Sequence, residues 1–388
     1  MRIAFFTETF LPNFDGVVNT LCRLLQYLEG QDHEVVVFAP EGGPQQYAGA
    51  RVIGRYGMPF PLYPEIKLVS PLDNFEKELL EFKPDLVHVL NPISLGMAGI
   101  WHARQLEIPL VASFHTDVAG FAERWGFGFI SEMIWTYSRM LHNQALVNWA
   151  PSHATATILR ERGFERVSVW SRGVDAKHYH PLRRDMDMRR RLSAGNPDAP
   201  LLLYTGRLSQ EKRVNWIKRV LKSRPDVRLA IVGDGPYRTE LEKLYKGTAA
   251  VFTGALRGLE LAQAYASADI FVFPAANETF GNVVLEAMAS GLPVITANAG
   301  GPLDFVQHKE NGLVFQHTNR KSFKKRVLQM LKKSPQERKA MGLRGRRLAA
   351  ERSWASVFSS LMAEYEGGGA KDQCADHDST GSAATADS

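Results

Sequence analysis

Nine short apolar runs decide what this chain can fold into. In the first half they are 2-RIAFFTE-8, 34-EVVVFAP-40, 85-DLVHVLN-91 and 109-PLVASFH-115. In the second they are 201-LLLYTG-206, 228-RLAIVGD-234, 250-AVFTG-254, 269-DIFVFPA-275 and 293-PVITAN-298. They are rich in Val, Ile and Phe, and longer stretches of helical pattern separate them. None alternates strictly between apolar and polar residues, so each reads as a strand covered on both faces, which is the signature of a parallel sheet. Two such sets imply two doubly wound α/β domains. The expected division is an amino-terminal domain over 1–175, a carboxyl-terminal domain over 185–350 and a last helix over 351–366. The break falls near 172-RGVDAKHYHPLRRDMDMRRRLSAGNPDAP-200, which is polar and lacks apolar periodicity. The small, polar tail 367–388 reads as disordered.

The bulk properties agree with a soluble globular chain. Its 388 residues are enough for two domains, and 45% are hydrophobic against 23% charged. Two distant cysteines, Cys22 and Cys374, give neither a disulfide framework nor a zinc spacing, which fits a reducing cytosol. The start MRIAFFTETFLP meets Glu8 too soon for a signal peptide, and no apolar run is long enough to span a bilayer. Any membrane role is then peripheral, at the inner face of the cell membrane. Net charge is +6, but residues 1–180 carry 15 Lys+Arg and 19 Asp+Glu, leaving +10 on the remainder. Runs such as 183-RRDMDMRRR-191 fit a solvated face or attraction to anionic ligands or lipids. They lack the interleaved aromatics of a nucleic-acid site, so no nucleic-acid partner is expected.

Ligands in open α/β sheets bind at the carboxyl ends of the strands. Glu278 falls there, just past 269-DIFVFPA-275, and a helix is expected to begin near Phe280. The backbone N–H groups of Phe280, Gly281, Asn282 and Val283 then face an anion such as a phosphate. Glu286 lies eight residues beyond Glu278, about 80° away around a helix, so the two acids suit different parts of one long ligand. A carboxylate accepts two hydrogen bonds at once and therefore suits a vicinal diol such as a ribose. After 201-LLLYTG-206 comes 206-GRLSQEK-212, placing Arg207 and Lys212 where they can neutralise a diphosphate without metal.

Gly206, Gly233, Gly254 and the pair in 300-GGPLD-304 follow strands, where they either admit a ligand to the backbone or merely make tight turns. Gly16, in 11-LPNFDGVVNT-20, opens a helix near Val17 but belongs to no G-x-G-x-x-G, which argues against a dinucleotide oxidoreductase. His115 ends the fourth strand and either faces a cleft or is structural; His88, mid-strand, is core. The strings 185-DMD-187 and 376-DHD-378 are chance, and no metal follows from them. In 125-WGFGFISEMIWTYSRMLHNQALVNWA-150, Trp125, Phe127, Phe129, Ile130, Ile134, Trp135, Tyr137 and Leu141 cover more than one helix face. They serve either as core or as an apolar surface for a lipid acceptor.

Gly16, His115, 206-GRLSQEK-212, 233-GDGP-236, 278-ETFGNVVLE-286 and 300-GG-301 together resemble the retaining nucleotide-sugar glycosyltransferases of family four, with the GT-B fold. The resemblance spans about residues 1–365. It implies that Arg207 and Lys212 bind the donor diphosphate and that Glu278 contacts the transferred sugar. Amides of Phe280 and Gly281 would lie near sugar and phosphate, and Glu286 would hold the ribose. Gly16 would meet phosphate and His115 would lie beside the sugar. It further implies two Rossmann-like domains facing a cleft, a last helix crossing back to the first, and retention without metal or protein nucleophile. The strings 115-HTDVAGFAE-123, 171-SRGVD-175 and 286-EAMASGLPVITANAGGP-302 resemble mannosyltransferases that use GDP-mannose. Equally, 58-MPFPLYPEIKL-68 and 170-WSRGVDAKHYHP-181 resemble sulfoquinovosyl- and glucosyl-diacylglycerol synthases that use UDP-sugars. Both groups imply a lipid acceptor; a sugar-nucleotide epimerase or a non-catalytic binding protein stands as the distant alternative.

Overall fold

Strand β1 (Arg2–Thr7) is buried from Ile3 onward, as a strand covered on both faces must be. The computed structural model, which describes residues 1–13, 15–60, 63–120 and 128–367, builds a first sheet around it. The further strands are β2 (Glu34–Pro40), β3 (Gln46–Tyr47), β4 (Ala50–Arg55), β7 (Leu86–Leu90), β8 (Leu110–Ser113), β9 (Asn148–Ala150) and β10 (Val167–Val169). A separate antiparallel ribbon pairs β5 (Gly57–Phe60) with β6 (Tyr63–Val69). The order of the large sheet is β10-β9-β8-β7-β1-β2-β4-β3, parallel throughout except the β3 edge. Ile3 pairs with Val35 on one side and Leu86 on the other. The chain therefore starts in the middle, winds outward through β2 and β4, and returns to β7, making β1/β7 the topological switch point. Phe6 stacks on Phe38, and Phe75 meets both edge-on, in the core on one face. Helices α1 (Gly16–Leu28), α2 (Leu95–Gln105) and α3 (Gly128–His142) belong to this unit.

The second sheet repeats the logic. Its strands are β11 (Leu201–Thr205), β12 (Arg228–Val232), β13 (Ala250–Gly254), β14 (Ile270–Phe273), β15 (Val294–Ala297) and β16 (Gly312–Phe315), in the order β13-β12-β11-β14-β15-β16 and all parallel. Leu202 pairs with Leu229 and with Ile270, so the switch point here is β11/β14. Around it lie helices α4 (Met186–Leu192), α5 (Gly258–Ser267) and α6 (Asn282–Ala289). All nine runs read from sequence are strands of these two sheets, with ends trimmed by at most two residues.

The chain divides into one compact unit of Met1–Ala150, Ala156–Trp170 and the residues from Phe358, and another of Pro151–Thr155 and Ser171–Val357. The last helix, α7 (Trp354–Glu366), thus changes unit at Phe358. In the first unit Phe358 packs on Tyr27, and the Tyr365 hydroxyl lies 2.7 Å from His88 Nδ1. His88 is fully buried, as expected of a core histidine.

The second unit resumes at Ser171, at the head of the polar segment 172–200 where the break was expected. Within that segment α4 folds and buries Met188 and Leu192. Charge hid this. Arg189 is itself buried, donating to the carbonyls of Pro197, Ser267 and Ala199 and to Asp269 Oδ2 at 2.8 Å. A buried guanidinium is tolerated only when its donors are satisfied in this way. Asp185 caps α4 by accepting from Met188 N, while Arg190 pairs with Asp187 and Arg191 with Glu260. Much of the basic run is therefore neutralised within its own unit.

Candidate active site

One of the two acids and one of the two cations read from sequence, Glu278 and Lys212, meet at the switch point of the second sheet. Behind β11 a short turn carries Lys212, whose Nζ lies 2.8 Å from Glu278 Oε2 in the loop behind β14. Both side chains are about one-fifth exposed, at 19% and 22%, so the pair is partly desolvated and stronger than a surface pair. Beneath them Tyr204 is buried, and its hydroxyl donates to the Arg207 carbonyl at 3.0 Å, fixing the turn. Burial pushes the Tyr204 phenol up, and the charges of Glu278 and Glu211 add to the effect. It remains a donor. Arg207 itself is exposed.

Glu286 looks elsewhere, as the spacing required. It lies on α6, and its Oε2 accepts from the Tyr265 hydroxyl at 2.8 Å. Helix α6 opens at Asn282 with Gly281 as its N-cap in the left-handed region, φ 96°, two residues later than expected. The N–H groups of Asn282 and Val283 form its first turn. Among the described residues, no three His, Cys, Asp or Glu side chains gather as a metal site would require.

Gly233 and Gly301 pack tightly on neighbouring backbone. A Cβ at Gly233 would sit 2.0 Å from the Gly206 carbonyl oxygen, and φ is 138° there. The loops behind β11, β12 and β13 are tied together by Gly206 N to Val232 O and Gly233 N to Gly254 O. Gly301 serves the Glu278 loop: its N–H donates to Glu278 O at 2.8 Å, and an added Cβ there would collide with the backbone of Thr279 and Phe280. Ser152 and Thr155 hold the same loop by donating to Thr279 O at 2.7 and 3.2 Å. Sequence reasoning missed Tyr204, Tyr265, Ser152 and Thr155; no spacing links Ser152 to a loop 127 residues away.

The first unit's candidates lie along the carboxyl edge of its own sheet. Gly16 opens α1, which Asp15 caps by accepting from Val17 N and Val18 N. His115 follows β8, mostly buried, with Nε2 2.7 Å from Ser113 Oγ; that oxygen lies 2.8 Å from His88 Nε2. The histidine is thus part of a hydrogen-bonded chain reaching Tyr365. At the switch point itself Glu8 is buried. Its carboxylate accepts from the N–H groups of Ile93, Ser94, Leu95 and Gly96 and from the Ser94 hydroxyl, filling the start of α2.

The aromatic stretch divides between its two readings. Trp135 and Leu141 on α3 are buried, Trp135 among Phe114 and Phe164, as core. Phe129, Met133 and Met140 are 79%, 69% and 55% exposed and, four and then seven residues apart, share one face. Ile130 is half-buried. Trp125 and Phe127 lie outside the described residues, as does the tail 368–388. No described helix is long and apolar enough to cross a membrane.

Residues 14–178 match the family model described as Glycosyltransferase Family 4, and 187–348 match Glycosyl transferases group 1. A GDP-mannose-dependent alpha-mannosyltransferase of Mycolicibacterium smegmatis is 40% identical over 373 residues, covering 94% of this chain and 97% of that one. The chain is a family-four nucleotide-sugar glycosyltransferase. Sulfoquinovosyl transferase SQD2 of Arabidopsis thaliana is also 40% identical to this glycosyltransferase, over 80% of the chain, which spans 62% of the plant protein's length. The crystal structure of Anabaena HepE in complex with UDP shares the fold at a TM-score of 0.76 and 19% identity, covering 95% of this chain and 100% of that one. The two-sheet GT-B architecture expected from sequence is therefore the one present.

Proposed function

We propose that this glycosyltransferase moves a mannosyl residue from GDP-mannose to a lipid or lipid-linked acceptor, with retention of configuration and without a metal. One observation carries the donor site: the Lys212–Glu278 pair stands at the second switch point, beside the start of α6. Positive charge from Lys212, Arg207 and the helix start offsets the charge that grows on the leaving diphosphate, so it counts most in the transition state. Glu278 takes sugar hydroxyls, with the Phe280 and Gly281 amides nearby, and Glu286 takes the ribose diol. Gly16 is assigned to phosphate and His115 to the sugar. The bond from the sugar C1 to the diphosphate oxygen breaks as the acceptor oxygen bonds C1 on the same face. The acceptor proton passes to the leaving phosphate oxygen, so no protein nucleophile is needed.

GDP-mannose leads because the mycobacterial relative matches over nearly its whole length. A sulfoquinovosyl transferase at the same identity and an alpha-monoglucosyldiacylglycerol synthase of Streptococcus pneumoniae at 29% support the second reading, transfer from a UDP-sugar to a diacylglycerol. For the acceptor, the exposed Phe129–Met133–Met140 face of α3 suits the interfacial layer of a membrane. On this reading the enzyme works peripherally at the inner face of the cell membrane.

A thermal-shift titration with GDP, UDP, ADP and their sugar conjugates in EDTA tests the donor. At a hundred times Kd, about 2.7 kcal/mol of linkage should raise Tm by roughly 5–10 °C. A shift with GDP and GDP-mannose alone supports the proposal; a shift with UDP alone moves the enzyme to the second reading, and no shift refutes both. Phe129→Ala with Met133→Ala should lower sedimentation with liposomes while leaving the nucleotide shift intact; unchanged sedimentation removes α3 from the membrane.

A further inference from the structure

Glu286 does not stand alone. The Tyr265 hydroxyl donates to its Oε2 at 2.8 Å and lies 2.6 Å from Thr205 Oγ1. Tyrosine has one proton to give. Since it goes to Glu286, the second bond must run the other way, with the Thr205 hydroxyl donating to the phenol oxygen. The three residues come from three elements: Thr205 ends β11, Tyr265 lies on α5 and Glu286 on α6. All of the Tyr265 ring is buried, edge-on to Tyr179 and tilted against Phe271, so it cannot swing. Burial and the neighbouring Glu286 charge hold the phenol far above its ordinary range, which keeps it a donor at every pH the cell meets.

We propose that Tyr265, set by Thr205, is a positioning residue that fixes the plane of the Glu286 carboxylate for a ribose diol. Recognition of a diol by two hydrogen bonds needs that plane held, because a rotating carboxylate satisfies one hydroxyl at a time and must be ordered on binding. The arrangement also makes the preference for a ribonucleotide depend on residues that never touch it. This rests on the assignment of Glu286 to the ribose.

The test is calorimetric titration of the whole enzyme with GDP and with 2′,3′-dideoxy-GDP, and with the corresponding uridine pair, in EDTA. Tyr265→Phe keeps the ring and deletes the hydroxyl. It should weaken the ribonucleotide about tenfold, the scale of one hydrogen bond to a charged group, and leave the dideoxynucleotide within about twofold. In a Glu286→Gln background the same substitution should add nothing, since the two act as a unit. Thr205→Val should cost about threefold, and Thr205→Ser should restore it. That pair carries the test if Tyr265→Phe does not fold. Equal weakening of ribo- and dideoxynucleotide would show a merely structural tyrosine and overturn the inference. Full affinity in Tyr265→Phe with a loss in Glu286→Gln would overturn it and leave the ribose assignment standing. Unchanged affinity in Glu286→Gln would remove that assignment and the inference with it.

Discussion

Gly301→Ala should disable the enzyme without touching any ligand. Its new Cβ would lie 2.4 Å from Phe280 Cα, 2.5 Å from Thr279 O and 2.7 Å from Phe280 O. Carbon atoms in contact prefer about 3.5–4.0 Å, so the segment must retreat by roughly 1 Å. All three obstacles are backbone atoms, and no rotamer change relieves them. The glycine's φ is not positive, so the collision is the whole effect. Overpacking of this kind costs about 1–3 kcal/mol, which lowers Tm by roughly 2–12 °C. Function should suffer more, because the displaced segment adjoins Glu278, whose carbonyl accepts from Gly301 N. A 1 Å misplacement costs on the order of a hundredfold in rate. The assay is initial-rate transfer of labelled mannose from GDP-mannose into a lipid extract, beside a thermal melt and a GDP titration. Gly30→Ala, where an added Cβ meets nothing within 4 Å, is the control. Activity within threefold of the parent in a folded Gly301→Ala would refute the reasoning. It would mean that Thr279 and Phe280 yield without moving Glu278, or that Glu278 is remote from the chemistry.

Two further outcomes test the first unit. Glu8→Ala strips five hydrogen bonds and leaves the buried donors at the start of α2 without their acceptor, so it should cost about 1–3 kcal/mol in urea unfolding; no measurable loss would show that water replaces the carboxylate. His142 is buried beside Phe164 and Phe114, and burial lowers its pKa from 6.5 to about 4 against the opposing bond to Asn148. With the folded value below the unfolded one, the unfolded chain takes the proton first. Stability present above pH 6.5 is therefore lost as pH falls toward 4, by about 3 kcal/mol in all. His142→Gln should flatten that part of the urea-midpoint profile, and an unaltered slope would assign the effect elsewhere.

The strands were legible because a strand buried on both faces must be apolar throughout, and 201-LLLYTG-206 and 269-DIFVFPA-275 are. By contrast β9 (NWA) and β10 (VSV) are three residues each and exist by pairing with neighbours, so their composition announces nothing. Helix α4 is hard to read because its charges look exposed, whereas Arg189 is buried by virtue of its partners. At the candidate site, Glu278 and Lys212 are legible as charges just past strand ends, and Glu286 as an acid on the helix that follows. Tyr265 was not, since an aromatic on a core-facing helix looks like packing until its hydroxyl is seen to meet Glu286. The glycines were ambiguous for a related reason. Whether a ligand or another loop approaches Gly233 is a tertiary fact. The aromatic stretch held both of its meanings at once, with Trp135 turned inward and Phe129 outward.

The buried Glu8 carboxylate separates two sheets that otherwise share one plan. A helix start behind the central strand is a general invitation to anions. At the start of α2, behind β7, that invitation is already taken by the Glu8 carboxylate, a competitor joined to the chain at high effective concentration that no dilution removes. An incoming phosphate would have to displace it and leave a buried charge behind. Behind β11 of the second sheet stands a lysine instead, Lys212, paired with Glu278. One carboxylate behind β1 is thus enough to close a helix start from within, where the second sheet keeps a paired cation.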